Sequence, residues 1–158
     1  MHCDLRRLRR VATVAGLRIE RGTDHARFAH EEHPYIGRMT TSLRRKALAT
    51  QRLLNERSPE RGVSLFAGLH DKITGAAMLF LDGQCSGLWD VGVLEASRNR
   101  GIGTALTAHA CGMVRDAGYS DCVLIASGMG FNVYRHVGFE EVCKLGYFYS
   151  RLGRNEAQ

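Results

Sequence analysis

The chain has 158 residues, of which 44% are hydrophobic and 24% charged, a balance typical of one soluble globular domain with a substantial core. No apolar run approaches the roughly 20 residues of a membrane span, and the apolar stretch 11–16 is too short for a secretory signal. We therefore expect a cytoplasmic protein. Five cysteines are scattered without a Cys-x-x-Cys pair, which excludes a zinc ribbon or a disulfide framework and predicts free, mostly buried thiols: Cys3, Cys85, Cys111, Cys122 and Cys143.

The formal net charge of +6 comes largely from two basic clusters, Arg6 to Arg10 and Arg44 to Lys46. Neither cluster is interleaved with aromatic residues, so a nucleic-acid-binding face is not favoured. A positive field that attracts an anionic cofactor explains the charge equally well.

The first 60 residues predict one strand and two helices. We expect a strand over 17–20, a short helix over 25–32 with Asp24 as its N-cap, and a longer helix over 42–56. A loop at 58–62 follows, and no chemical motif stands out in this part of the chain.

The remaining chain predicts a sheet with one helical crossover. Segments 63–69, 73–81 and 88–93 are strand-like and separated by turn residues, as in an antiparallel meander. A helix over 102–117, ended by Gly118, leads to a strand at 122–126, which makes a β-α-β crossover with parallel pairing. A helix over 129–136 with Gly138 as its stop and strands at 139–142 and 144–149 complete the prediction.

The turn between Val93 and Ile102 carries the strongest chemical signal. Gly101 and Gly103 allow a ligand to approach the main chain, and the N-terminus of the following helix offers N–H groups and a favourable dipole. Arg98 and Arg100 add charge-assisted donors. The pattern predicts a binding site for a phosphate-bearing cofactor.

Two familiar phosphate loops do not fit this turn. A dinucleotide-binding fold needs a third glycine and an acidic residue after the next strand, whereas the chain continues to Leu106 without a glycine and the next strand ends in Ala126-Ser127-Gly128. A P-loop needs Gly-Lys-Ser/Thr, which is absent from the sequence.

The pattern that fits is Arg98-x-x-Gly101-x-Gly103, which resembles the coenzyme A pyrophosphate loop of the GNAT superfamily of N-acetyltransferases. About 30 residues later, Val133 to Phe139 resembles the family's second signature, Leu-Tyr-x-x-x-Gly-Phe. The resemblance covers residues 63–149 well and residues 1–60 only by the number of elements. It implies an α/β (mixed α+β) fold with a mostly antiparallel sheet, a central β-α-β crossover and helices on both faces.

The resemblance also implies a division of one domain, 1–158, into three parts. Residues 1–16 form a basic N-terminal segment, 17–60 the acceptor-site region, and 63–149 the acetyl-CoA-binding core. Acetyl-CoA would donate an acetyl group to a primary amine of a small molecule or a peptide, by direct attack through a tetrahedral intermediate.

Site residues follow by position in the family. The Val93 N–H would polarise the thioester carbonyl, Val91 to Val93 would pair with the pantetheine arm, and Tyr134 would face the thiolate leaving group. Ser127 stands where an Asn often contacts the cofactor and would substitute weakly. The pyrophosphate would be held at Arg98, Asn99, Arg100, Gly101, Ile102, Gly103 and Thr104.

The general base is less well defined. The family's Glu position corresponds to about Gly87, which leaves Asp90 as the leading candidate because it is the one carboxylate of that strand. A structural acid paired with an arginine is the alternative role of Asp90, and a water chain is an alternative base. Acidic and histidine residues between 30 and 33 lie in the region that often shapes the acceptor site. Glu95, where the family usually has Pro, is expected to affect mainly the turn.

Three functional hypotheses stay open at this point. The leading hypothesis is an N-acetyltransferase. A non-catalytic acyl-CoA-binding sensor or interaction module is the second, supported by the missing acid at Gly87. The third is a GNAT that acts on RNA-borne or protein amines, suggested by the basic clusters. The sequence does not identify the acceptor. The predicted edge strand over 144–149 would offer a surface for a homodimer.

Overall fold

The computed structural model describes residues 1–22, 45, 46, 49, 50, 53 and 56–146. Six strands form one sheet in the order β1-β6-β5-β4-β3-β2, and two helices follow the meander. Their bounds are β1 His2–Asp4, β2 Leu17–Arg21, β3 Gly62–Leu69, β4 Lys72–Asp82, β5 Cys85–Val93, α1 Ile102–Asp116, β6 Asp121–Val123 and α2 Phe131–Val137. Short 3₁₀ turns occupy Leu5–Arg7 and Glu95–Ser97. Within the described residues, no helix combines the length and apolar character needed to cross a membrane.

Neighbouring strands are antiparallel except β5 and β6, which are parallel. Helix α1 connects these two strands, as the predicted β-α-β crossover requires. It ends before Gly118, whose φ of +92° is the left-handed conformation expected of a glycine C-cap. The predicted meander and crossover are therefore confirmed.

The hairpin turn between β3 and β4 consists of two residues that both have positive φ. His70 has φ +50° and Asp71 has φ +61°, the arrangement of a two-residue turn whose twist matches that of the flanking strands. The turn lies where the sequence predicted it, although neither residue is the glycine that such turns favour.

The main core lies between the sheet and the two helices. Alternate residues of β3 and β4 point to this side, following the period of two that a strand imposes, and they pack against the buried stripe of α1 and against α2 in one cluster. The members contributed by β3, β4, α1 and α2 include Val63, Leu65, Ala67, Ala77, Leu79, Leu106, Ala110, Val114, Tyr134 and Val137. Helices α1 and α2 thus cover the same face of the sheet.

The N-terminal segment enters the sheet, which the sequence analysis did not predict. Strand β1 pairs with β6, and Cys3 and Leu5 are each only 1% exposed. The Leu5 N–H donates to the Ser120 carbonyl at 2.8 Å. Three strand residues give too short an alternation to detect among flanking arginines, which explains why this part was interpreted as a basic segment alone.

The predicted C-terminal strands are corrected. The strand expected over 139–142 is reduced to one bridge between His2 and Glu140, and residues 144–146 form no strand. Strand β6 ends at Val123 rather than at Ala126, and α2 begins at Phe131 rather than Met129. After β6, the Leu124 N–H donates to the Met1 carbonyl, and the Ser127 carbonyl accepts from the Gly130 and Phe131 N–H groups in the turn that precedes α2.

Predictions for the acceptor region fall mostly outside the described residues. The predicted helix over 25–32 and residues 147–149 of the last predicted strand lie entirely outside the described residues. Of the longer helix over 42–56, the described residues 45, 46, 49, 50, 53 and 56 are helical. Strand β2 and the loop before β3 lie where they were predicted.

Candidate active site

A bulge interrupts β5 shortly before its end. Ala76 pairs with Gly92 and Met78 with Trp89, so one residue of β4 lies opposite two residues of β5. The bulged residue Asp90 has φ +49°, an uncommon conformation outside glycine that Asp and Asn tolerate best. Such a bulge reverses the alternation of side chains beyond it and bends the strand.

The bulge changes which residues of β5 face the helices. Leu88 packs into the main core before the bulge, and Val91 and Val93 pack against the same core after it. Without the extra residue, Val91 and Val93 would face the opposite side of the sheet. The bulge therefore holds the end of β5 against α1 and α2.

Strands β5 and β6 diverge close to the bulge. Their parallel pairing is recorded at Gly87 and Val123, while β5 continues to Val93 and the Leu124 N–H donates to Met1 on the other side of β6. The Leu94 N–H donates to the Thr74 carbonyl of β4 at 2.8 Å. Because successive N–H groups of a strand point to opposite edges, the Val93 N–H is directed towards the gap between β5 and β6.

The loop before α1 concentrates backbone donors. Asn99 and Gly101 have φ values of +60° and +78°, and the first bond inside the helix runs from the Ala105 N–H to the Gly101 carbonyl at 2.9 Å. The N–H groups of residues 102–104 precede that bond and have no acceptor within the helix. Together with the helix dipole they suit a pyrophosphate, so the loop fits the cofactor inferred from the sequence.

Arg98 also makes a structural contact that was not predicted from the sequence. Its Nε donates a 3.2 Å hydrogen bond to the Val93 carbonyl, which ties the loop to the end of β5. The bond uses Nε and leaves the two Nη groups of Arg98 outside it. Arg98 is half-buried, whereas Arg100 is exposed.

Tyr134 lies on the buried side of α2. It is 8% exposed, belongs to the main core and makes an edge contact with Phe139 at 6.1 Å between ring centroids. A β-carbon added at Gly103 would lie 3.6 Å from Val93 Cγ2 and 3.8 Å from Val133 Cγ1. The first turn of α1 thus lies between the end of β5 and the helix that carries Tyr134.

Ser127 and Asp90, the other predicted site residues, are both exposed. The Ser127 Oγ accepts a hydrogen bond from the Gly130 N–H at 3.2 Å and so stabilises the turn that leads into α2. Asp90 lies in the bulge of β5. The early candidates between 30 and 33 lie outside the described residues.

Trp89, adjacent to Asp90, was not singled out from the sequence. Its side chain is 44% exposed, an unusual exposure for the largest apolar residue next to a candidate active site. The sequence does show a single tryptophan in the strand before the phosphate loop, which could have marked it as a candidate site residue. Its exposure could not be predicted, because it depends on the neighbouring strand.

Three buried thiols belong to the main core: Cys3, Cys111 and Cys122. Cys3 pairs with Cys122 across β1 and β6, and burial raises the pKa of the Cys3 thiol to about 11. A hydrogen bond with Cys122, together with burial, raises the pKa of Cys111. All five cysteines are free, with Cys85 and Cys143 exposed. Among the described residues, no group of acids, histidines and cysteines is arranged to hold a metal ion.

The family model described as "Acetyltransferase (GNAT) family" matches residues 23–139, well over half of the chain. The chain belongs to the GNAT family. This GNAT protein is accordingly an acyltransferase, and the family's acyl donor is acetyl-CoA. The match begins at residue 23, which is 40 residues before Val63, where the resemblance seen in the sequence begins. It therefore includes most of the proposed acceptor region.

Solved structures of GNAT proteins share the fold. An acetyltransferase from Trypanosoma brucei superposes with a TM-score of 0.67 at 19% identity, covering 85% of this chain and 99% of that one. The PaiA N-acetyltransferase from Thermoplasma acidophilum, in complex with coenzyme A, gives 0.68 at 20% identity, with 82% and 93% covered. Glucosamine-6-phosphate N-acetyltransferase from Arabidopsis thaliana gives 0.68 at 12% identity, with 84% and 97% covered.

No curated protein sequence gives a significant match to this GNAT chain. At the identities above, the solved structures establish the fold alone. The predicted fold class, with its mixed and mostly antiparallel sheet, is confirmed.

Proposed function

We propose that this GNAT protein transfers the acetyl group of acetyl-CoA to a primary amine of a small molecule or a peptide. The observation that carries the proposal is the bulge of β5. It directs the Val93 N–H into the gap between β5 and β6, at the end of the strand that leads into the loop before α1.

Donor binding is assigned to two backbone surfaces. The N–H groups of residues 99–104, with the Nη groups of Arg98, would hold the pyrophosphate. The edge of β5 at Val91 to Val93 would pair with the pantetheine arm like an added strand. Bound acetyl-CoA supplies an acetyl group activated as a thioester.

We assign two groups to the transfer step. The Val93 N–H would donate to the carbonyl oxygen as negative charge develops there, which is the usual role of a fixed backbone donor. The Tyr134 hydroxyl would give a proton to the departing thiolate, whose pKa of roughly 8.5 suits a phenol as donor. The C–N bond forms first and gives a tetrahedral intermediate, and the amine proton leaves to a base. The C–S bond then breaks, and its electron pair departs with the sulfur.

We assign that base to Asp90, and a water chain is the alternative. The exposed carboxylate in the bulge is adjacent to the strand edge at which the donor would bind. An amine with a pKa near 10.4 is mostly protonated at neutral pH, so a nearby carboxylate would both attract the ammonium and accept its proton.

The direct experiment mixes the protein with acetyl-CoA and a panel of primary amines and follows thiol release together with the mass of the amine. Equal amounts of free coenzyme A and acetylated amine support the proposal. Binding of acetyl-CoA without thiol release for any amine favours the acyl-CoA-binding module instead, for which the absence of a side chain at Gly87 is the supporting observation.

A cytoplasmic location is also proposed, and the free cysteines support it because reduced thiols are typical of that compartment. We do not extend the proposal to a homodimer. The edge strand on which that expectation depended is not formed at residues 144–146.

A further inference from the structure

Trp89 is the only tryptophan of the chain, and it is exposed beside the bulge that shapes the candidate active site. Its side chain is 44% exposed, whereas its partner across the β4–β5 ladder, Met78, is 5% exposed. Exposure of a large indole costs hydrophobic free energy, so a binding role is a reasonable explanation for its position.

The indole is held in one orientation rather than left free to rotate. It makes an edge contact with the Phe80 ring, with the two centroids 6.4 Å apart and the planes at 86°. A β-carbon added at Gly87 would lie 2.7 Å from Trp89 Nε1. The absence of a side chain at Gly87 therefore gives the indole the space it occupies over β5, and the result is a fixed aromatic platform.

The platform lies on the side of the sheet opposite Tyr134. Leu88, Val91 and Val93 face the helices, and Trp89 alternates with Leu88, so it faces the other side. If the thiolate leaves towards Tyr134, the amine has to approach the carbonyl from elsewhere. Among the residues that the structure describes, the face that carries Trp89, with Asp90 as its neighbour in the chain, offers such an approach along β5.

We propose that Trp89 forms a wall of the acceptor site and selects primary amines whose carbon framework is flat and hydrophobic. The inference rests on the proposed function and deepens it by naming a substrate class. Stacking of an aromatic ring on the indole contributes beyond the area that it buries, and the neighbouring Asp90 carboxylate complements the ammonium group. A small polar amine gains the charge interaction without the stacking.

The first test uses the fluorescence of the single tryptophan. Phenethylamine and ethanolamine are titrated against the protein saturated with coenzyme A, which cannot transfer an acetyl group. Phenethylamine is expected to change the emission in a saturable way, and ethanolamine to leave it unchanged at the same concentration. Equal responses to the two amines, or no response to either, would overturn the inference.

The second test uses Trp89→Ala, with Trp89→Phe to retain an aromatic ring. Removing the indole should lower the ratio of kcat/KM for phenethylamine over ethanolamine by about 10- to 100-fold, and Trp89→Phe should restore part of it. The dissociation constant of acetyl-CoA should stay within about twofold, since the proposed donor site consists of the loop before α1 and the edge of β5 at Val91 to Val93, and does not include the indole. Val142→Ala, which truncates another exposed apolar side chain, should leave the ratio unchanged.

The two tests separate this inference from the proposed function. If amines are acetylated but the ratio does not change in Trp89→Ala, the acceptor lies elsewhere and the acetyltransferase activity stands. If phenethylamine changes the fluorescence but no amine is acetylated, the amine site exists and the proposed reaction is wrong.

Discussion

The ring of Tyr134 lies directly over the backbone of Gly130. A β-carbon added at Gly130 would come within 2.7 Å of Tyr134 Cε2 and 3.3 Å of its hydroxyl oxygen. Glycine at the N-cap of α2 therefore sets the position of the phenol that we assign to the leaving group. Gly128, two residues earlier, has no atom within 4 Å of the corresponding position.

This pair of glycines gives a matched test. Gly130→Ala should displace the Tyr134 ring, because real β-carbons do not approach other heavy atoms so closely, and should lower kcat by roughly 10-fold or more. Gly128→Ala should leave kcat within about twofold. Steady-state rates and circular dichroism of both variants check the prediction, and equal kcat values for the two would show that the ring position does not matter.

Tyr134→Phe removes the hydroxyl while keeping the ring in the core. If the hydroxyl protonates the thiolate, kcat should fall by about 10- to 1,000-fold, with the dissociation constant of acetyl-CoA nearly unchanged. Stopped-flow thiol release and calorimetric titration measure the two quantities. Wild-type kcat in Tyr134→Phe would remove this residue from the mechanism.

Asp90 can be tested without disturbing the bulge, because Asn also tolerates positive φ. Asp90→Asn should lower kcat by about 100-fold or more if the carboxylate takes the amine proton. Its free energy of unfolding should stay within about 0.5 kcal/mol of the wild type, because the bulge geometry is kept. A rate within threefold of wild type at all pH values would assign the proton transfer to water.

Asp90→Gly serves as the second variant at this position. Glycine accepts the φ of +49° at no steric cost, so the fold should be retained although the carboxylate is lost. Loss of activity in both variants, with both folded, would identify the carboxylate rather than the backbone as the cause.

Gly101 and Gly118 offer a comparison at the two ends of α1. Both have positive φ, +78° and +92°, and an alanine at either should cost about 1 kcal/mol of stability. We expect Gly101→Ala alone to weaken acetyl-CoA binding, by about 10-fold, because the strained φ and a β-carbon 3.3 Å from Val14 Cγ2 would shift the N–H groups of the proposed pyrophosphate site. Calorimetric titration measures the affinities, and equal affinities in the two variants would contradict the assignment of the loop.

The phosphate loop could be predicted from the sequence because its chemistry is local. Glycines at 101 and 103, arginines at 98 and 100 and the start of a helix are all contained in one short segment, and the structure brings them together as expected. The hairpin at His70 and Asp71 was likewise predictable from the polar interruption between two apolar runs.

The features that were missed depend on partners distant in the chain. Strand β1 forms because His2 to Asp4 meets β6 almost 120 residues later, and of the strand predicted over 139–142 only Glu140 pairs, with His2. The bulge at Asp90 is a relationship between two strands, visible in the sequence only as one polar residue in an apolar run. The exposure of Trp89 depends on the neighbouring strand, which no local pattern reveals.

The central claim is that the loop from Arg98 to Thr104 binds acetyl-CoA for transfer to an amine. The most direct measurement is thermal unfolding of the wild type with and without acetyl-CoA, followed by thiol release in the same sample on addition of an amine. At about 100 times the dissociation constant, acetyl-CoA should raise the free energy of unfolding by about 2.7 kcal/mol, and thiol should then be released. No stabilisation by acetyl-CoA at any concentration would contradict the account.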